Sequence, residues 1–225
     1  MAGILFIISA PSGSGKSTLV SQLRTLVEGL EFSVSYTTRP PRGSEEDGRE
    51  YNFTTRERFE RMIAAGEFLE WADVFGNYYG TAVSTLDHAK RAGKDLLLDI
   101  DVQGAEQVMK KMPEAVTIFV VPPSPQVLQM RLRRRSEAEG AASKTPISEE
   151  VIEKRLAAAR NELKQMRDYK YALVNDVLDQ AVEELRAIVL CERGVRNGVQ
   201  TIASSCRTDD PSPRLKAALS TFQEL

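Results

Sequence analysis

The residues with the clearest capacity for chemistry lie near the start of the chain. Ala10-Pro11-Ser12-Gly13-Ser14-Gly15-Lys16-Ser17-Thr18 follow the apolar run Ile4–Ile8. Gly13 and Gly15 can take φ > 0, so successive backbone N–H groups can face one concavity and hold the β- and γ-phosphate oxygens of a nucleoside triphosphate. A helix opening at Lys16 adds the positive end of its dipole. Lys16 would reach the β/γ-phosphates, and the Ser17 hydroxyl would ligate Mg²⁺. The pattern G-x-x-x-x-G-K-[ST] is met except at its first position, where Ala10 stands and disfavours any φ > 0.

Three further segments carry polar groups in suggestive patterns. The apolar run Leu96–Leu98 ends in Asp99-Ile100-Asp101. Acids at the carboxyl end of a buried strand face the crevice where such sheets bind ligands, and residues two apart on a strand point to one side. Asp99 could support Mg²⁺ or its water shell; the bland alternative is a helix N-cap. Arg39 and Arg42 flank Pro40-Pro41, whose stiffness fixes the guanidinium groups. Two guanidinium groups and a tyrosine hydroxyl are what a phosphomonoester demands, although a solvated basic loop has the same composition. In Phe68-Leu69-Glu70-Trp71 and Gly76-Asn77-Tyr78-Tyr79-Gly80-Thr81, the Glu70 carboxylate can accept from N1–H and the 2-amino group of guanine, and the Thr81 hydroxyl can donate to O6. Alone, this last segment is only a Gly-Tyr turn beside an aromatic strand.

The elements that must position these residues follow from periodicity. Strands Ile4–Ser9, Asp95–Asp101, Val116–Val121 and Tyr171–Val174 alternate with helices Lys16–Glu28, Gln103–Met112, one opening at Ser124-Pro125, and Leu178–Glu192. Near-continuous apolar strands between helices predict an α/β fold, a doubly wound parallel sheet covered on both faces. Residues 33–81 break the alternation with a helix, Thr55–Ala65, among short strand-like pieces at Val34–Thr37, Tyr51–Phe53 and Phe68–Trp71. They form an inserted mixed-β subdomain. Residues 136–148, small and polar, fit a mobile flap before a helix over Glu149–Arg167. After Gly194 the chain starts as a linker, and Pro211–Leu225 carries an apolar stripe for one short helix. That helix could pack on the body or against a second subunit, giving a homo-oligomer.

Composition narrows the classes of function. The 225 residues carry 30 Lys plus Arg against 32 Asp plus Glu, which gives no global attraction to nucleic acid or an anionic membrane. No apolar run is long enough to span a bilayer, and the first one lacks the cationic lead of a signal peptide. Two cysteines, Cys191 and Cys206, without metal-ligand spacing fit a reducing, cytoplasmic setting. His88 is the only histidine, which nearly excludes Ser-His or Cys-His catalysis; it falls in a helical pattern as a surface or packing residue.

Taken together, APSGSGKST, SVSYTTRPPRGSEEDGREYNF, FLEWADVFGNYYGT, LLLDIDVQG and YALVND resemble guanylate kinase, across roughly residues 3–193. The resemblance implies a P-loop kinase fold with a core (1–32, 82–135, 168–193), a GMP-binding subdomain (33–81), a helical lid (136–167) and a C-terminal linker with a short helix (194–225). It implies transfer of a phosphoryl group from ATP to GMP, with Mg²⁺ as cofactor and dGMP as a further acceptor. Arg39, Arg42, Tyr51 and Tyr79 would hold the GMP phosphate, while Ser35, Glu70, Thr81 and Asp101 would read guanine. Arg135 and Arg155 match lid arginines that close on the ATP phosphates. With Lys16 and Arg39 they form the catalytic set, and residues 10–18 bind ATP. The family often has Ser where Thr81 stands and Gly where Ser136 stands. For Arg131, Arg133 and Arg134 a solvated helix end is an equal alternative. A non-catalytic binding module of this fold is disfavoured by the intact Lys16-Ser17 pair. A kinase for another phosphorylated small molecule is disfavoured by Glu70, Thr81 and Asp101.

Overall fold

The computed structural model describes residues 3–143 and 149–222, apart from the side chains of 135–136 and 138–143. The chain forms two compact units: Met1–Ile7 with Gly29–Ala115, and Ile8–Glu28 with Val116–Leu225. A five-stranded sheet has the order β2-β7-β1-β8-β9, with β1 at Leu5–Ser9, β2 at Leu30–Phe32, β7 at Asp95–Asp99, β8 at Val116–Val121 and β9 at Tyr171–Val174. The pairs β2–β7 and β8–β9 run parallel. Every residue of β1, β8 and β9 is buried, as strands covered on both faces must be.

The unit containing Gly29–Ala115 adds a four-stranded mixed sheet, ordered β4-β3-β6-β5: β3 at Tyr36–Thr37, β4 at Asn52–Phe53, β5 at Phe68–Val74 and β6 at Asn77–Ala82. Strands β5 and β6 form a hairpin. Its two turn residues, Phe75 (φ 52°) and Gly76 (φ 84°), both adopt positive φ, and the Gly76 N–H donates to Asp73 Oδ1 at 2.7 Å. That is the turn whose twist suits a two-residue hairpin. Helix α2 (Arg56–Ala64) is capped by Thr55, whose side chain accepts from the Arg58 N–H, and it stops at left-handed Gly66 (φ 68°). It buries Phe59 and Met62 against Phe68, with Phe59 stacked on Phe68 at 4.3 Å between centroids. This small core stiffens the sheet that carries the polar residues. Helices α3 (Val83–Ala92) and α4 (Val102–Lys111) complete the unit, α4 lying on β5. His88 is exposed on α3.

The other unit holds α1 (Lys16–Leu26), α5 (Pro125–Ser143), α6 (Glu149–Lys164), a 3-10 turn at Gln165–Asp168, α7 (Leu178–Glu192), α8 (Val199–Ser205) and α9 (Pro213–Ser220). Leu128 and Leu132 of α5 pack with Ile152, Leu156 and Ala159 of α6, and Phe222 lies against that cluster. Two expectations change here. Residues 136–143, read as a flap, continue α5 to Ser143, because alanine and glutamate sustain a helix; 144–148 lie outside the described residues. The tail, read as opening in a linker, forms α8 and then docks on the sheet edge. Ala172 N–H donates to Cys206 O at 2.7 Å, and Arg207 bridges antiparallel to Tyr171. Helix α9 follows on β9 and β8, with Leu215 and Ala218 buried, so it packs on the body. The edge strand β2 and the short helix α8 carried no periodic signal of their own.

Candidate active site

In the unit containing Ile8–Glu28, β1 runs into a loop that turns at once, Ser14 N–H donating to Pro11 O at 3.1 Å. Gly13 (φ 89°) and Gly15 (φ 87°) are both left-handed, and Gly15 is the N-cap of α1. Phe75 is the only non-glycine with positive φ among the described residues, so Ala10 meets no backbone demand for glycine. Lys16 is half-buried in the first turn of α1, and Ser17 and Thr18 are exposed beside it. The loop thus presents glycine backbone, a helix N-terminus, one ammonium group and two hydroxyls, which is the composition of an anion cradle.

Two residues that sequence reasoning did not assign hold this loop. Asn175 Nδ2 donates to Ser14 O at 2.7 Å, and Arg131 Nη1 donates to the same oxygen at 3.1 Å. Arg131 Nη2 in turn reaches Asn175 O at 3.0 Å. A Cβ on Gly15 would stand 2.3 Å from Asn175 Nδ2, so the close approach needs glycine as much as the positive φ does. Arg131 is therefore built in, unlike the exposed Arg133 and Arg134 that share its basic run. Its half-burial ending at two carbonyls is the distinction that the repeated arginines concealed. Arg135 lies in α5 with its side chain outside the described residues, and Arg155 is half-buried on α6.

In the unit containing Gly29–Ala115, the mixed sheet gathers a second polar group. Arg39 is only 5% exposed. Its Nε donates to Tyr79 Oη at 3.2 Å, and its Nη1 and Nη2 form a fork on the Glu45 carboxylate at 2.9 and 3.0 Å. The guanidinium also faces the Tyr51 ring at 5.3 Å, and Tyr51 meets Tyr79 edge-on at 5.8 Å. Arg42 is half-buried nearby, its N–H donating to Glu45 Oε2 at 2.8 Å. Burial, with the charge of Asp99, pushes the Tyr51 phenol up to about 12, so it stays a neutral donor. Burial works to raise the Glu45 carboxyl, but the hydrogen bonds from Arg39 and Arg42 outweigh it and hold the group below its ordinary value.

Deeper in the same sheet, the register pairs Glu70 with Thr81, and Ser35 Oγ lies 3.3 Å from Thr81 Oγ1. All three are nearly fully buried, Glu70 at 3% and Thr81 at 0%. Asp101 departs from expectation. It lies beyond β7 as the N-cap of α4, its Oδ1 accepting from Gly104 N–H at 2.8 Å, so Asp99 and Asp101 do not share a strand face. Ile100 between them is buried, and the strand has already ended at Asp99. The cap draws α4 close to β5: a Cβ on Gly104 would sit 2.2 Å from Glu70 Oε2. A buried carboxylate beside two hydroxyls, a few residues from an arginine-tyrosine cluster, can recognise a donor-rich heterocycle carrying a phosphate.

The described residues contain no group of three or more His, Cys, Asp or Glu that could hold a metal alone. A single hydroxyl at Ser17 does fit Mg²⁺, which keeps waters and takes most of its ligands from substrate phosphates.

Comparison with known proteins decides the family. The guanylate kinase family model matches residues 3–192. The chain belongs to the guanylate kinase family. A guanylate kinase of Koribacter versatilis is 51% identical over 100% of this chain and 97% of its own length. One of Nitrosospira multiformis is 48% identical over 85% and 87%. The crystal structure of guanylate kinase from Anaplasma phagocytophilum superposes with a TM-score of 0.67 at 31% identity, covering 91% of this chain and 95% of that one. The guanylate kinase fold expected from the sequence is thus present, with its parallel sheet and its second, mixed sheet. The family match stops before α8 and α9.

Proposed function

We propose that this guanylate kinase family member phosphorylates GMP, and dGMP as a second acceptor, with ATP as donor and Mg²⁺ as cofactor. Residues 10–18 are assigned to the ATP phosphates, with Lys16 on the β/γ-phosphates. Arg39, Arg42, Tyr51 and Tyr79 are assigned to the GMP phosphate, and Ser35, Glu70, Thr81 and Asp101 to guanine. The observation that carries this reading is the buried Glu70–Thr81–Ser35 group, because a carboxylate and two hydroxyls on one sheet match the two donors and the acceptor of the guanine edge. Ser17 would hold Mg²⁺, with Asp99 behind its water shell; the ion would offset charge on the transferring phosphoryl group. Arg135 and Arg155 are the proposed lid contacts, and the divisions 33–81 and 136–167 the proposed GMP-binding subdomain and lid.

The attacking group is a phosphate oxygen of GMP, already anionic near neutral pH because the second phosphate pKa is about 6. No general base is needed, which agrees with a single histidine exposed on α3. Arg39 would exchange Glu45 for the incoming phosphate, keeping its fork geometry while its partner changes. Tyr51 and Tyr79 would donate neutral hydroxyls, and Lys16 and the loop N–H groups would hold the donor in line. We infer ATP and GMP as small-molecule partners, with no role for nucleic acid or membrane, and a homo-oligomer through the C-terminal segment stays open. No helix among the described residues is long and apolar enough to cross a bilayer. A cytoplasmic setting is inferred from the two free cysteines.

A coupled ADP-release assay with GMP, AMP, CMP and UMP as acceptors tests the reading. Lys16→Met should abolish turnover with the fold retained. Glu70→Ala should raise KM for GMP far more than KM for ATP, with a loss of about 1–3 kcal/mol for an unpaired guanine edge. Equal losses for both substrates, or near-normal turnover in Lys16→Met, would refute these assignments.

A further inference from the structure

The tail beyond residue 192 does more than cover the sheet edge. Arg214, in the first turn of α9, is clamped at the carboxyl end of β9. Its Nη2 donates to Val174 O at 2.7 Å and to Asp176 Oδ1, its Nε to Asp176 Oδ2 at 3.2 Å, and its Nη1 to Glu184 Oε1. Val174 and Asp176 bracket Asn175, the residue whose side chain holds Ser14 O. Helix α9 is fixed in turn: Ser212 caps it, Pro213 opens it, and Leu215 and Ala218 are buried. Arg214 is therefore linked to the centre of the phosphate loop through its hydrogen bonds to Val174 and Asp176, the covalent backbone of 174–176, and the Asn175 side chain.

What that corner controls follows from peptide geometry. In a trans peptide the C=O of one residue and the N–H of the next point in opposite directions. Holding Ser14 O toward Asn175 and Arg131 therefore aims the Gly15 N–H the opposite way, away from those two side chains. Gly15, lacking a Cβ, has little of its own to resist rotation of this peptide. A loop that must present its N–H groups to phosphate gains from having them oriented beforehand.

We propose that Arg214 is a positioning residue for the ATP side of the reaction, tying the C-terminal helix to Asn175 and so presetting the Ser14–Gly15 peptide of the phosphate loop. This rests on the assignment of residues 10–18 to ATP. Arg214→Gln in the full chain should raise KM for ATP about threefold to thirtyfold, inside the range of coupling within one hydrogen-bond network, with KM for GMP within about twofold. Asp176→Asn, which keeps the side-chain shape, should show the same split. The double variant should be no worse than the more severe single one, because both cut the same link. Ala203→Gly, a change at a buried residue of α8 away from the corner, should lower Tm and leave both KM values within about twofold. The proposal is overturned if Arg214→Gln leaves KM for ATP unchanged, if both KM values rise together, or if Ala203→Gly reproduces the ATP effect. Should Arg214→Gln fail to fold, Asp176→Asn decides by the same split. Lys16→Met separates the two levels: if it retains turnover, the loop assignment fails; if it is inactive while Arg214→Gln and Asp176→Asn behave as wild type, only the positioning role fails.

Discussion

Gly104→Ala should separate guanine recognition from stability. The added Cβ would stand 2.2 Å from Glu70 Oε2 and 3.0 Å from its Cδ, closer than any packed carbon tolerates. The obstacle is the far end of a side chain, so the carboxylate can turn aside without moving β5 or α4. Backbone strain does not arise, because Gly104 lies in the first turn of α4 outside the positive-φ set. Alanine gains at most about 1 kcal/mol of helix propensity over glycine, which offsets part of the cost of displacing a buried carboxylate. Tm should therefore change by only a few degrees. Guanine binding, in contrast, loses a hydrogen-bonding partner that is charged, and such bonds contribute about 1.5–3 kcal/mol. At about 1.4 kcal/mol per decade, KM for GMP should rise about ten- to hundredfold while KM for ATP stays within about twofold. Steady-state kinetics with each substrate varied in turn, alongside a thermal melt, measures all three quantities. An unchanged KM for GMP, or an equal rise for ATP, would refute both the position of Glu70 against α4 and its role toward guanine.

Two other outcomes follow from the same geometry. Gly15→Ala should disable the ATP side more severely than Gly104→Ala disables the GMP side, because it meets both a φ of 87° and Asn175 Nδ2 at 2.3 Å; turnover should fall at least about tenfold, read by the same assay. Glu45→Gln tests the resting partner of Arg39. The folded protein holds the Glu45 carboxyl below its ordinary value, so its stabilisation is present at neutral pH and is lost as pH falls from the ordinary carboxylate range through that lowered value. Glu45 is partly open to solvent, so the ligand-free wild type should exceed the variant by no more than about 1 kcal/mol at pH 7. Urea melts at pH 7 and pH 3 should show that gap closing in acid; a gap that widens would reverse the sign and refute the pairing.

The amino-acid sequence alone determined what is local or chemical. Apolar runs such as Val116–Val121 and Ile4–Ser9, bounded by turn residues, are read as buried strands, the second of which starts one residue later in the structure, and helix Leu178–Glu192 is read residue for residue from its periodicity. The glycine-lysine-serine loop and the arginine-proline pair announced phosphate chemistry because few other uses combine those residue types. Tertiary structure decided what depends on neighbours distant in sequence. Asn175 is an unremarkable residue after a strand until folding places it 2.7 Å from Ser14 O, 161 positions earlier. Arg131 is one arginine among four until burial against two carbonyls distinguishes it from Arg133 and Arg134. Asp101 looked like the second acid of a strand face, but chain direction after Ile100 made it a helix cap. Strand β2 is too short to declare itself and exists because β7 offers an edge. The tail is the clearest case: its stripe at Leu215 and Ala218 foretold a helix, yet only the exposed edge of β9 and the carboxylates at 176 and 184 determined where that helix, and Arg214 with it, would settle. Periodicity records which face of an element seeks cover, and the cover itself is chosen by the rest of the fold.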